Sequence, residues 1–202
     1  MSEVDAAIEA IRAGELVVMP TDTVYGLVCT PYREEAVRAL SELKRRDPDQ
    51  PIAVVAANVD LLLECVPELP GKAVVLARRL LPGPYTLVLP NPARRFPWLT
   101  GSRPDTIGVR VPELAGPGRD VLERAGAVAA TSANWHGEPD PARLEDVAGE
   151  LLAAVAASVD GGELPGTPST VLDLTGEEPR VLREGAVPAS VALERVEATL
   201  AQ

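Results

Sequence analysis

The segment Leu16-Val-Val-Met-Pro-Thr-Asp-Thr-Val-Tyr-Gly-Leu27 joins a short apolar run to a dense group of polar side chains. The run from Leu16 to Met19 predicts a buried strand, because consecutive apolar residues can pack on both faces of a sheet. The residues after Met19 supply two threonine hydroxyls, a carboxylate and a phenol. Polar residues that follow a buried strand favour a ligand site in an α/β sheet, although an ordinary turn contains the same residue types.

Helical and strand patterns alternate on both sides of this segment. An amphipathic helix precedes it and stops at Gly14, and a second helix follows Gly26 and ends in the basic cluster Lys44-Arg-Arg46, before a strand over 52–56. The other predicted helices cover 60–66, 71–81, 119–125, 144–157 and 190–200, and the other predicted strands cover 86–89, 107–111, 127–131, 170–174 and 181–182. This alternation predicts an α/β domain with helices packed on a mixed sheet.

Length, composition and charge limit the possible functions. The chain has 202 residues, 46% of them hydrophobic and 24% charged, which predicts one globular domain with a sizeable core. A net charge of −11 argues against a broad basic surface, so tight binding to nucleic acid is not expected. The N-terminus lacks a signal-peptide pattern and no apolar run is long enough for a bilayer, and Cys29 and Cys65 lie in apolar contexts. We therefore expect a cytoplasmic protein with no membrane contact.

Several common catalytic motifs are missing from the sequence. There is no phosphate-binding loop of the G-x-x-x-x-G-K-[ST] type, and Gly116-Pro-Gly118 is followed by Val121 where a dinucleotide-binding motif has a third glycine. His136 is the only histidine and no Cys-x-x-Cys occurs. The sequence therefore predicts neither a zinc site nor a Ser-His-Asp triad, and we expect no metal-ligand set.

Polar clusters recur instead at the ends of the predicted strands and helices. Lys44-Arg-Arg46 is either a solvated helix end or, if positions i and i+2 face inward, a site for a polyanion. Arg110, inside an apolar strand, either lies on an exposed face or meets an anion in a pocket. Three more segments are turns or site loops: Thr131-Ser-Ala-Asn-Trp-His-Gly137, Pro168-Ser-Thr-Val-Leu-Asp173 and Arg183-Glu-Gly-Ala186.

In their order and context these clusters, together with Pro82-Gly-Pro-Tyr-Thr86, resemble the YrdC-like family of L-threonylcarbamoyladenylate synthases. The resemblance runs from about residue 6 to residue 187. It implies a twisted mixed β-sheet with helices packed on it and an open concave ligand cleft. It also implies the short form of the family, one domain over 1–202 with a motif-bearing core at about 6–187 and a C-terminal helix at about 188–202.

The resemblance also implies an activity and a set of site residues. Family members condense L-threonine, bicarbonate and ATP to threonylcarbamoyl-AMP and pyrophosphate, and a tRNA-modifying transferase complex receives the product. By similarity, Lys44 and Arg46 are the catalytic residues. The ATP-binding residues are then Lys44, Arg46, Gln50, Thr106, Asn134 and Arg183, and the L-threonine-binding residues are Thr23, Arg110, Ser132 and Ser169. Mg²⁺ is expected to be carried by the nucleotide phosphates.

The sequence departs from the family pattern at a few positions. Asp47, Gln50 and Val55 stand where the family often has proline, asparagine and histidine, and Ser132-Ala-Asn134 is followed by Trp-His-Gly, with His136 either over the site or in a solvated loop. These departures leave two alternatives open. One is a YrdC-like paralogue with a different carbamoyl or adenylate chemistry, and the other is a non-enzymatic RNA-binding module.

Overall fold

The computed structural model describes residues 2–47 and 49–201. Within these ranges, nine strands form a single sheet. The strands are β1 (Val17–Pro20), β2 (Tyr25–Cys29), β3 (Ala53–Ala56), β4 (Tyr85–Pro90), β5 (Thr106–Arg110), β6 (Ala127–Ser132), β7 (Ala157–Ser158), β8 (Thr170–Asp173) and β9 (Arg180–Arg183). The helices are α1 (Glu3–Ala13), α2 (Glu34–Leu43), α3 (Val59–Cys65), α4 (Gly71–Leu80), α5 (Gly116–Ala125), α6 (Gly149–Ala154) and α7 (Ala189–Leu200), with 3-10 turns at Pro97–Leu99 and Leu144–Asp146.

The sheet mixes parallel and antiparallel pairs in the spatial order β7-β1-β2-β6-β3-β5-β4-β8-β9. The pairs β1–β7, β3–β5 and β4–β8 are parallel, and the other five are antiparallel. The predicted α/β class with helices on a mixed sheet is therefore confirmed. None of the helices in the described part of the chain is long and apolar enough to cross a lipid bilayer.

Local sequence signals explain where the first elements begin and end. Ser2 caps α1, because its Oγ accepts a hydrogen bond from the Asp5 backbone N–H at 3.1 Å. Gly14 ends the helix with φ at 90°, in the left-handed region that favours glycine. The chain then enters β1, whose four residues are all buried, as the apolar run predicts.

The two faces of the sheet differ in how they are covered. On one face, strand side chains such as Leu87 and Val109 form the larger core cluster with apolar residues of α2, α3, α4 and α7. On the other face, Val28 and Val128 form a smaller cluster with α1 and α5. Because side chains alternate along a strand, Val88 and Gly108 point to the same side as this smaller cluster. That side is left open over β3, β5, β4 and β8, where no helix of the smaller cluster packs.

Two predicted elements are wrong. Residues 21–26 were expected to lead as a loop into a helix, but Tyr25–Cys29 forms a strand that pairs with β1 as a hairpin. Five consecutive buried residues on a central strand show no alternation, and the adjoining polar motif obscured the apolar run. The helix expected over 144–157 breaks into a 3-10 turn, α6 and β7, because Ala157 and Ser158 pair with β1.

Candidate active site

A pocket of about 470 Å³ opens on the uncovered part of the sheet. Its floor is made of small residues from neighbouring strands: Gly26 of β2, Ala53 of β3, Gly108 of β5 and Ala130 of β6. A Cβ at Gly108 would lie 3.6 Å from the Ala53 Cα, in ordinary contact, so the floor is closely packed without being strained. Small side chains on the floor leave room above it for a ligand.

The pocket is strongly cationic although the protein is acidic. Five cationic side chains line it, and no aspartate or glutamate of the described chain does. The five are Lys44, Arg46, Arg103, Arg110 and Arg183. Since the whole chain carries a net charge of −11, this concentration of positive charge indicates a site for anions.

The basic cluster after α2 divides between the pocket and the solvent. Lys44 Nζ donates to the Ser132 carbonyl at 2.6 Å and to Asn134 Oδ1 at 3.1 Å. Arg46 Nη1 donates to Thr131 Oγ1 at 3.0 Å. Arg45 adopts a left-handed φ of 50° and is exposed, so Lys44 and Arg46 face inward together. The sequence left two interpretations of this cluster, a solvated helix end or a site with the first and third residues facing inward. The structure shows the second arrangement, and only Arg45 is solvated.

Burial shifts the acidity of these cations. Burial and the neighbouring Arg46 charge lower the pKa of Lys44 to about 8, and Asp140 partly opposes the shift. Burial also lowers the pKa of Arg46, whose Nε has no hydrogen-bond partner in the structure. An anion bound between the two side chains would stabilise both charged forms.

Arg110 is buried and paired at another part of the pocket. Its Nη2 donates to the Asp22 carboxylate and, at 2.6 Å, to Thr23 Oγ1. Burial lowers the pKa of Arg110, and the Asp22 charge opposes that shift. Of the two interpretations made from the sequence, the exposed face is wrong, and the anion that Arg110 meets in this structure is Asp22.

Ser169 is held at the pocket by contacts with two further segments. Its Oγ lies 2.8 Å from Thr86 Oγ1, and Arg183 Nη2 donates to the Ser169 carbonyl at 2.9 Å. Glycine is required at position 185, because a Cβ there would lie 2.1 Å from the Pro168 carbonyl oxygen. The Arg183-Glu-Gly-Ala segment can therefore pack directly against the loop that carries Ser169.

The structure brings nearly all of the predicted site residues together. Those that line the pocket are Lys44, Arg46, Gln50, Thr106, Arg110, Ser132, Asn134, Ser169 and Arg183. Thr23 is not among the lining residues and reaches the site through its contact with Arg110. His136 is exposed at the pocket, and Trp135 lies beneath the Arg45 guanidinium, 5.5 Å from it. The individual substrate contacts of these residues stay predictions.

Sequence reasoning missed several residues of the site. Thr86 and Thr131 line the pocket. They belong to the motifs at 82–86 and 131–137, and their hydroxyl groups could have marked them as ligand-binding residues. Arg103 also lines the pocket but belongs to no motif. Its partner in an ion pair of 3.0 Å is Asp173, which is 70 positions away, so the local sequence gave no sign of a role for Arg103. Among the described residues, no group of three or more His, Cys, Asp or Glu could hold a metal ion. Mg²⁺ carried by a nucleotide therefore stays a prediction.

Comparison with known sequences gives consistent relatives. The profile of the Sua5/YciO/YrdC family, described as telomere recombination, matches residues 9–185. A threonylcarbamoyl-AMP synthase of Pyrococcus abyssi is 39% identical over 195 residues, which cover 95% of this chain and 55% of that protein. A putative threonylcarbamoyl-AMP synthase of Mycobacterium tuberculosis is 38% identical over 183 residues, 90% of this chain and 83% of that one. The chain thus spans about half the length of the Pyrococcus relative.

Solved structures give the same picture of the fold. Pyrococcus abyssi Sua5 complexed with L-threonine superposes with a TM-score of 0.85 at 36% identity, covering 99% of this chain and 58% of that one. Escherichia coli YciO superposes with a TM-score of 0.78 at 28% identity, covering 91% of this chain and 89% of that one. The fold of this chain is therefore found both in a longer protein, Sua5, and in one of similar length, YciO.

Proposed function

The chain belongs to the Sua5/YciO/YrdC family, and we propose that it is a threonylcarbamoyl-AMP synthase. The observation that carries the proposal is the pocket lined by five cations and no described carboxylate, in a chain with a net charge of −11. The relatives named threonylcarbamoyl-AMP synthase and the relative crystallised with L-threonine support the same activity. The enzyme is then a nucleotidyltransferase that releases pyrophosphate.

The proposed reaction has two bond-forming steps. The amino group of L-threonine combines with bicarbonate to give a carbamate, with loss of water. A carbamate oxygen then attacks the α-phosphorus of ATP, and the bond to the β,γ-pyrophosphate breaks. Both partners in the second step are anions, so the site must neutralise like charges and hold the attacking oxygen in line with the leaving group.

Lys44 and Arg46 are the residues proposed to stabilise the charge that moves during this step. Their side chains lie on one side of the pocket with Thr131, Ser132 and Asn134. We assign the triphosphate to this side, with Lys44, Arg46 and Asn134 as direct ligands. Gln50, Thr106 and Arg183 are assigned to the rest of the nucleotide. ATP arrives as its magnesium complex, with the metal on phosphate oxygens and water.

Arg110 and Ser169 are the residues proposed to bind the amino acid. A buried guanidinium favours one carboxylate strongly, because few water molecules compete for its N–H groups. The Ser169 hydroxyl and the Arg110 side chain both border the pocket, and Arg183 hydrogen-bonds to Ser169. Ser132 and Thr23 complete the proposed L-threonine set, Thr23 through its hydrogen bond with Arg110.

The proposal also covers the fate of the product, the domain organisation and the cellular compartment. The product is passed to a tRNA-modifying transferase complex, and this protein does not itself bind tRNA tightly, in line with its net charge of −11. Residues 1–202 act as one domain. Both cysteines are buried free thiols, which supports work in the reducing cytoplasm.

The test is to incubate the purified protein with MgATP, bicarbonate and isotopically labelled L-threonine. We expect pyrophosphate release that requires both bicarbonate and L-threonine, and a labelled adenylate that mass spectrometry identifies as threonylcarbamoyl-AMP. Pyrophosphate release that does not depend on L-threonine would instead support a paralogue with another carbamoyl or adenylate chemistry. RNA retention with a steep salt dependence and no turnover would favour the RNA-binding module.

A further inference from the structure

Asp22 is a buried carboxylate that lies next to the pocket without lining it. Its side chain is 8% exposed, and Arg110 Nη2 donates to its Oδ1. Its Oδ2 accepts a hydrogen bond from the Glu113 backbone N–H at 3.1 Å. Both oxygens are therefore bound within the protein, and neither is needed to explain the proposed reaction steps.

The hydrogen bonds around Arg110 show which of its nitrogens remain free. Nη2 carries two hydrogens, and these go to Asp22 and to Thr23 Oγ1. Thr21 Oγ1 gives its own proton to the Val24 carbonyl at 2.6 Å, so the Thr23 hydroxyl proton points to Thr21 Oγ1, 3.1 Å away. Nε is buried without a partner, and Nη1 makes no hydrogen bond to any described residue.

We propose that Asp22 is a positioning residue for the amino-acid site, because it fixes the Arg110 guanidinium through Nη2 and leaves Nη1 to meet the carboxylate of L-threonine. The inference rests on the proposed function, since it takes L-threonine as the ligand. Arg110 borders the pocket and Asp22 does not, so Asp22 acts through Arg110.

Two other roles for Asp22 make different predictions. Asp22 could be a structural link alone, because it also ties the loop after β1 to the segment after β5 through Glu113. In that case replacing Asp22 would weaken the binding of both L-threonine and ATP. Asp22 could also act mainly as a negative charge that repels the ligand carboxylate. In that case removing the charge would strengthen binding of L-threonine.

The decisive experiment compares Asp22→Ala and Asp22→Asn with the wild type. L-threonine affinity is measured by calorimetry, and the KM for ATP is measured from pyrophosphate release. We expect Asp22→Ala to weaken L-threonine binding by about tenfold to a hundredfold, the range of one hydrogen bond to a charged group. Asp22→Asn should fall between wild type and Asp22→Ala, since its amide oxygen can still accept from Nη2. The KM for ATP should change by less than about threefold.

Asp5→Asn is the matched control, because it removes an ion pair with Arg124 that lies on the surface, with a 2.8 Å contact. Asp5→Asn should leave the L-threonine affinity and the KM for ATP unchanged. Unchanged or tighter L-threonine binding in folded Asp22→Asn overturns the inference. A rise in the KM for ATP equal to the loss of L-threonine affinity also overturns it. Thermal unfolding checks the fold, and Asp22→Asn decides the outcome if Asp22→Ala does not fold. A wild type that binds no L-threonine overturns the proposed function itself, whereas wild-type binding with unaffected Asp22 variants overturns only this inference.

Discussion

The two sides of the pocket handle charge in opposite ways. On the side proposed for the triphosphate, called the phosphate side below and formed by Lys44, Arg46 and their partners, neither cation has an ion pair with any described carboxylate. On the amino-acid side, Arg110 is neutralised by Asp22. Unpaired cations suit a triphosphate, which brings several negative charges. A neutral pair suits an amino acid, which carries one charge of each sign and no net charge. Charge pairing therefore separates the two proposed subsites more clearly than the number of cations does.

The largest effect is expected on the phosphate side. Lys44→Ala and Arg46→Ala should each lower kcat/KM for ATP by about a hundredfold to a thousandfold, because each removes a preorganised charge from the proposed site of adenylyl transfer. Steady-state pyrophosphate release measures this.

The matched controls are Lys72→Ala, which removes the only other lysine, and Arg45→Ala, which removes the exposed neighbour. Both should stay within about threefold of wild type. If the Lys44 and Arg46 variants turned over normally, the triphosphate would have to bind elsewhere and the comparison would fail.

On the amino-acid side, the close packing at Gly185 offers a substitution with a somewhat smaller effect. In Gly185→Ala the added methyl would overlap the Pro168 carbonyl, so the backbone that carries Ser169 must shift. We expect kcat/KM for L-threonine to fall by about tenfold to a hundredfold. In Gly176→Ala the new Cβ meets its nearest neighbour at an ordinary 3.7 Å, so this control should be close to wild type. Equal activities for the two variants would show that the loop contact is not needed.

The acidity of Lys44 predicts a pH effect that is confined to the phosphate side. Its pKa of about 8 means that the ammonium loses its proton as the pH rises through 8, and the attraction for phosphate goes with it. We expect kcat/KM for ATP to fall by about tenfold between pH 7 and pH 9. Lys44→Arg should move this alkaline limb to higher pH because a guanidinium stays protonated. An unchanged limb in Lys44→Arg would assign the titration to another group.

The smallest effect is expected at Thr86, on the amino-acid side. Thr86→Val keeps the shape of the side chain but removes the hydroxyl that lies 2.8 Å from Ser169 Oγ. Loss of one neutral hydrogen bond should raise the KM for L-threonine by about threefold to tenfold, with little change for ATP. Thr199→Val, which removes an exposed hydroxyl on α7, serves as the control. A larger change for ATP than for L-threonine would place Thr86 on the wrong side of the pocket.

Local patterns in the sequence were sufficient to predict most of the fold. The helical spacing before Gly14 and the apolar run before Pro20 each reflect packing within one element, and both elements form as expected. The strand Tyr25–Cys29 was not predicted, because its first two residues belong to the polar motif and only three apolar residues follow them. The break between Leu144 and Ala157 was missed since it depends on pairing with β1, which is far away in the chain.

The candidate site was predictable only in part. The hydroxyls and cations within motifs marked the segments that meet at the pocket. The partners of those cations were not visible, because Asp22 and Arg110 are 88 residues apart and Lys44 and Ser132 are equally distant in sequence. The inward orientation of Lys44 and Arg46 depends on a single left-handed residue, Arg45, and an arginine gives no sequence signal for that conformation.

The glycine and alanine floor makes the depth of the pocket adjustable in steps of one or two carbons. Gly108 and Ala130 present almost no side chain to the space above them, so Gly108→Ala or Ala130→Val would raise the floor without removing any polar group. A short series of such variants would measure the depth at which each substrate binds. The step at which each substrate ceases to bind would report how deeply that molecule reaches into the protein.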